Sequence, residues 1–286
     1  VSTAANQFNV TYNANVPATT TNKVEGSMAP TLLVIGTPNQ LRTNDYTLAG
    51  YIFGGWAVSA SGEVAYEDEY QLTAEKILEI YTALNGNSKY ELYAVWSQIE
   101  YSIEYNGNGG ADQGGEDTYT QSGIKYDEEF TFAGEIFELE GYTFNGWNTE
   151  ANGSGTAYVA ETKNKNLTET NADTVKVYAQ WKAIKYIVEF NGNSNTSGSM
   201  DSQEFTYDKA EELNENKFNR TGYTFIGWTS SVAAGYYGES AEACTNAITT
   251  SVEIADKSFI KNLANANGTT VTLTAVWAAN YYALSV

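Results

Sequence analysis

Short stretches of this chain alternate apolar and polar residues. In Tyr101-Ser102-Ile103-Glu104-Tyr105 every second position is apolar, which predicts a half-buried strand, and the Asn106-Gly107 that follows predicts a turn. In Tyr142-Thr143-Phe144 the aromatics share one face. Gly146 then precedes Trp147, which predicts a bulge or a close backbone approach that turns the indole inward. Val175, Val177 and Ala179 form one face of a later strand, with Tyr178 and Gln180 on the other, and Trp181 completes the apolar face. Two stretches have a helical period instead. Ile77, Ile80, Tyr81 and Leu84 fall on one helical face, with Thr73 placed to cap the start and Asn85-Gly86 to stop it. A second helix is predicted from Asp256 as cap, Phe259, Ile260 and Leu263 as its face, and Asn267-Gly268 as stop.

The same pattern returns three times. Gly50-Tyr51-Ile52-Phe53-Gly54-Gly55-Trp56 recurs as Gly141 to Trp147 and as Gly222 to Trp228. Upstream of each stands a strand ending in an Asn turn: Tyr12-Asn13-Ala14-Asn15, Tyr105-Asn106-Gly107-Asn108 and Phe190-Asn191-Gly192-Asn193. Downstream stands a closing strand, Tyr93-Ala94-Val95-Trp96, Tyr178-Ala179-Gln180-Trp181 or Thr274-Ala275-Val276-Trp277. Three markers in the same order in every copy define an internal repeat. The expected boundaries are 1–98, 99–182 and 183–279, joined by short linkers such as Ser97-Gln98 and Lys182-Ala183, with a strand-like tail over 280–286. Each unit is expected to hold about four strands and, in the first and third copies, a short helix.

These markers resemble the Listeria–Bacteroides repeat, also called the internalin B repeat. The middle copy is the closest, from Gly141 to Trp147, through Asn148 to Tyr158, to the closing Tyr178-Ala179-Gln180-Trp181. The first copy departs at Ala14, where the turn glycine is expected, and at Leu48-Ala49. The third departs between Trp228 and its closing strand. The resemblance covers nearly the whole chain. It implies a β-rich α+β fold of three tandem β-grasp (ubiquitin-like) units forming an elongated rod. It also implies a secreted or surface-anchored microbial location, a spacer or adhesive role, and no catalytic residues.

Composition narrows the chemistry. There is no His and one Cys, Cys244, among 286 residues, which excludes imidazole-based catalysis, an intramolecular disulfide and a Cys-built zinc cluster. A net charge of −20 argues against nucleic-acid partners and against adhesion to anionic lipid. No apolar run is long enough to span a membrane, so no membrane insertion is expected. With 22 Tyr, 6 Trp and 11 Phe, the chain is too aromatic for a disordered acidic segment and favours strands. The acidic, Lys-poor balance points to an extracellular or cell-surface protein.

No catalytic, cofactor or metal residue is assigned, and the chain is expected not to be an enzyme. The acidic runs Glu67-Asp68-Glu69, Glu116-Asp117 and Asp127-Glu128-Glu129 lack a calcium-loop pattern and read as solvated surface. The motif core is assigned to Tyr51, Phe53, Trp56, Trp96, Tyr142, Phe144, Trp147, Trp181, Tyr223, Phe225, Trp228 and Trp277. The Trp residues could serve as sugar-stacking platforms, but their matched positions favour packing. Tyr236 and Tyr237, read as a loop, are better ligand candidates for a carbohydrate-binding module, the competing functional class. Sequons at Asn9, Asn152, Asn166, Asn195, Asn219 and Asn267 carry no signal in a chain this rich in Asn, Ser and Thr. Lys125 or Lys176 would suit an isopeptide crosslink only if buried with an Asn and an acid. Cys244 reads as a small buried residue.

No signal peptide is visible in the sequence. After Trp277 the chain continues through Asn280 to Val286 in alignment with Ile184 to Phe190, the first strand of copy three. Tyr281, Tyr282, Ala283, Leu284, Ser285 and Val286 are therefore a candidate intersubunit strand for head-to-tail filament assembly. The expected partners are the chain itself, further repeats, or surface glycans or proteins.

Overall fold

A computed structural model describes residues 6–281. The chain is β-rich with one helix among the described residues. It forms two compact units, and the middle copy contributes to both. The first runs up to Tyr105 and adds Tyr119–Phe132 and Glu161–Lys176. The second holds Asn106–Thr118, Ala133–Ala160 and the chain from Val177.

In the first unit, Phe8, Val10 and Tyr12 alternate inward along the strand Gln7–Asn13, as period-two patterning requires. Four strands lie in the order Thr31–Val34, Gln7–Asn13, Lys89–Gln98, Tyr51–Ala57. The opening strand pairs parallel with the closing one, and the two outer pairs are antiparallel. Parallel neighbours need a crossover, and here the long connection carries the helix Ala74–Leu84. Lys76 N donates to Thr73 Oγ1 at 3.2 Å, and Asn85 ends the helix at φ +48. Ile77 and Ile80 join Phe8, Val10, Trp56 and Leu92 in one core, each stabilising the unit by roughly 1.5–3 kcal/mol through burial. In the middle copy's share of this unit, Glu100–Asn106 lies beside Thr118–Lys125, and Phe130–Thr131 pairs with Lys163–Asn164.

The second unit repeats the sheet with Gln203–Thr206, Lys185–Asn191, Thr270–Ala279 and Tyr223–Ser230 in the same order. Its opening and closing strands are again parallel. The helix expected from Asp256 is absent. Phe259–Lys261 is a strand in a small sheet with Glu211–Glu212, Tyr236–Gly238 and Asn246–Ala247. Lys257 and Asn262, at φ +59 each, are left-handed and would confine any helix between them to about one turn. Between them Ser258 and Ile260 point inward with period two. Asp256 accepts from Asn216 N instead of capping a helix. The middle copy's Tyr142–Asn148 lies between Ala157–Tyr158 and Thr174–Ala183.

Successive copies are separated by one residue rather than by the expected linkers. Ser97-Gln98 and Lys182-Ala183 belong to the closing strands, and Ile99 and Ile184 alone bridge to the next opening strands. Both isoleucines are buried, so burial and backbone bonding fix the turn where a polar linker would leave it free.

Candidate functional site

The signature strand is built around its second glycine. Gly55, Gly146 and Gly227 all have positive φ, at +132°, +95° and +155°, and the register with the closing strand shifts there in each copy. A Cβ would lie within 3 Å of the carbonyls of Tyr66, Tyr158 and Ile254 respectively. Only glycine satisfies both constraints. The bulge turns Trp56, Trp147 and Trp228 into the cores, where all three are essentially fully buried. Phe53, Phe144 and Phe225 meet these indoles edge-on at 4.9, 5.0 and 4.9 Å. They meet the closing indoles of Trp96, Trp181 and Trp277 at 5.7, 5.8 and 5.6 Å.

The Asn turn fastens the closing Trp. Nε1 of Trp96, Trp181 and Trp277 donates to the carbonyls of Ala14, Gly107 and Gly192 at 2.7, 2.8 and 2.9 Å. Asn15, Asn108 and Asn193, all left-handed, donate through Nδ2 to the carbonyls of Ala94, Ala179 and Ala275. The acceptor is a backbone carbonyl, so Ala14 performs the same task as the glycines it replaces. Gly107 and Gly192 are glycine for a local reason: a Cβ there would run into Gly110 O and the Asn195 side chain.

The first glycine of the signature forms a docking face. Gly50 and Gly141 sit at φ +78° and +79°. Their carbonyls accept from Ile99 N at 3.0 Å and from Ile184 N at 2.9 Å. The next copy's first hairpin then lies on them. Ile99 O and Ile184 O accept from Tyr126 N and Tyr207 N, and the rings of Tyr126 and Tyr207 cover the glycines so closely that any Cβ would fall inside the ring. Tyr51 donates its hydroxyl to Asp127 Oδ2 at 3.0 Å, and Tyr142 to Asp208 Oδ2 at 2.9 Å. Both aspartates are left-handed, at φ +61° and +60°, a conformation Asp tolerates. Each is clamped by an Asn of its own copy, Asn166 Nδ2 to Asp127 Oδ1 and Asn262 Nδ2 to Asp208 Oδ1. Burial pulls the Asp127 carboxyl upward. Hydrogen bonds from Asn166, Thr20 and Tyr51 outweigh that and hold it below the usual carboxylate range.

Tyr126-Asp127 and Tyr207-Asp208 are the functional residues that the sequence reading missed. They follow the second strand at matched places, a fourth ordered marker, but copy one has Ile35-Gly36 there. The run Asp127-Glu128-Glu129 therefore passed for solvated surface.

The other candidates lie elsewhere. Tyr236 and Tyr237 are in a strand, not a loop; Tyr237 packs on the core while Tyr236 is exposed beside Lys261. Lys125 and Lys176 are exposed and pair with Glu100 and Glu104, so neither has the burial an isopeptide bond needs. Cys244 is fully buried against the carbonyls of Tyr236 and Phe259, and burial pushes its thiol up. Asn166 and Asn267, two of the sequon residues, are tied into hydrogen bonds by their side chains. In the proposed intersubunit strand, Tyr281 is exposed, and Tyr282, Ala283, Leu284, Ser285 and Val286 lie outside the described residues. No helix is long and apolar enough to cross a membrane among the described residues.

The sequence profile of the Listeria-Bacteroides repeat domain matches three segments, residues 8–82, 101–180 and 186–251, and this repeat does not define an enzyme family. Two proteins of Evansella cellulosilytica are similar. One, named "Putative Gly-rich membrane protein", is 30% identical over 71% of the chain and 21% of its own length. The other, named "Putative membrane protein", is 28% identical over 63% of the chain and 24% of its own length. The chain thus spans about a fifth to a quarter of these curated relatives.

Proposed function

Because the chain belongs to the Listeria-Bacteroides repeat family, we propose that it is a non-enzymatic, surface-associated repeat protein of the cell envelope. In this reading it is a stalk or adhesive segment made of three β-grasp-type units. The observation that carries the reading is the use of the motif. Its Trp residues are consumed by cores and by latches to backbone carbonyls, and its first glycine serves to fasten the next copy. A motif spent on packing and joining fits a protein that spans and displays rather than converts a substrate. The sheet order, with opening and closing strands parallel at its centre, supports the β-grasp assignment. The relatives' names support the envelope location, and the −20 charge suits a solvated, displayed surface.

Antibodies against the purified chain are expected to label intact source cells; labelling only after permeabilisation overturns the location. A carbohydrate-binding module is the competing reading, and the exposed Tyr236, with Lys261 beside its ring, is the aromatic platform it would use. A glycan screen is expected to give no binding. Reproducible binding lost in Tyr236→Ala would replace the structural role with glycan recognition.

A further inference from the structure

The third copy carries the same docking face as the first two, without a hairpin on it among the described residues. Gly222 adopts φ +81°, and its carbonyl accepts from Asn280 N at 2.9 Å, as those of Gly50 and Gly141 accept from Ile99 and Ile184. Phe225 meets Trp277 edge-on as in the other copies. What covers the glycine differs. Gly50 and Gly141 are buried and Gly222 is exposed; among the described residues nothing lies within 4 Å of a Cβ built on Gly222. Tyr223, the counterpart of Tyr51 and Tyr142, is exposed. Arg220 stands where the other copies have Leu48 and Leu139, and its guanidinium lies 4.0 Å from the Tyr223 ring centroid.

We propose that this face binds the Tyr-Asp hairpin of a further repeat of the same kind. The incoming Tyr ring lies on Gly222, as Tyr126 and Tyr207 lie on their glycines, and the Asp carboxylate accepts from the Tyr223 hydroxyl. Arg220 adds a cation beside that carboxylate, as Lys165 does for Asp127 at the first face. The occupant is identified by chemistry already used twice in this chain. The first copy of a second molecule does not supply it, because Ile35-Gly36 occupies the hairpin position. Ile35 N bonds Asn6 O as Tyr126 N bonds Ile99 O, and Gly36 has φ +86° where the aspartates are also left-handed. Copies of this chain therefore do not join head to tail through this face. The inference rests on the junction geometry and not on the cellular location proposed above.

The test is to give the first copy the missing hairpin in the full chain, as Ile35→Tyr with Gly36→Asp. Ile35 is partly exposed and a Cβ on Gly36 meets nothing within 4 Å, so neither substitution replaces a fully buried side chain or forces a clash at Cβ. Sedimentation at the highest soluble concentration is expected to show self-association at least about tenfold tighter than wild type, concentration-dependent and weak in absolute terms because the interface is small. Adding Gly222→Ala, which puts a methyl where the ring lies, is expected to return the variant to wild-type behaviour. Association no tighter than wild type, or association that survives Gly222→Ala, would overturn the proposal. So would a wild-type chain that associates as tightly as the variant. If the double variant loses its folded circular-dichroism signature, Ile35→Tyr alone is measured against the same outcomes.

Discussion

The faces at Gly141 and Gly222 share a backbone and differ in what covers them. Both glycines are left-handed, and both carbonyls accept the amide of the residue after the closing strand. Over Gly141 lies the ring of Tyr207; over Gly222, among the described residues, nothing does. The left-handed turn therefore belongs to each repeat, while the aromatic cover is contributed by the next one. In repeat proteins stability divides into terms within a repeat and terms between neighbours. Here the second kind is concentrated in a Tyr, an Asp and the glycine beneath them.

The largest contrast is expected between the tyrosines. Tyr126 is buried on Gly50 and its hydroxyl accepts from Asn22, so Tyr126→Ala is expected to cost about 3 kcal/mol in denaturant titration. Tyr223→Ala removes an exposed ring and is expected to cost less than about 0.5 kcal/mol. Similar losses would break the comparison. A smaller difference separates the cores of the same two copies. Trp147 Nε1 donates to Ala133 O at 2.8 Å, whereas the buried Trp228 Nε1 has no partner among the described residues. Trp147→Phe is therefore expected to be more destabilising than Trp228→Phe by about 1 kcal/mol.

The pH dependence sharpens the same junction. Asp127 has a folded pKa below its ordinary value, so its contribution is complete above the ordinary carboxylate range. It is lost as pH falls from about 4 through the lowered folded value. Asp127→Asn is expected to flatten that acid limb of the stability profile while leaving the fold intact; an unchanged limb would assign the acid sensitivity to other carboxylates. The smallest effect belongs to a pair outside the junction. Lys125 and Glu100 form an exposed ion pair, and Lys125→Ala is expected to shift stability by less than about 0.5 kcal/mol.

Much of the fold was legible because its causes are local. The alternation of Tyr101, Ile103 and Tyr105, the bulge before Trp147 and the caps of the helix at Thr73 and Asn85 act within a few residues, and the structure has each of them. The third copy's false helix was local too, but its apolar spacing fits two periods. The left-handed Lys257 and Asn262 decide between them; Asn tolerates that conformation, but nothing in the identity of Lys257 announces it. The docking face was legible on one side only. Gly50 and Gly141 stand in the motif, yet their partners Tyr126 and Tyr207 lie in the following copy. The meeting of the two is a tertiary fact that no periodicity encodes, and Ile35-Gly36 conceals the marker in copy one.

The most direct measurement is the paired unfolding of Gly141→Ala and Gly222→Ala in the full chain. Both place a side chain at nearly the same positive φ, a backbone cost of about 1–2 kcal/mol that cancels in the difference. Only at Gly141 does the new methyl also displace a ring, adding about 1–3 kcal/mol. A clearly larger loss for Gly141→Ala is the expected result. Equal losses would contradict the docking of one repeat's Tyr on the glycine of the repeat before it.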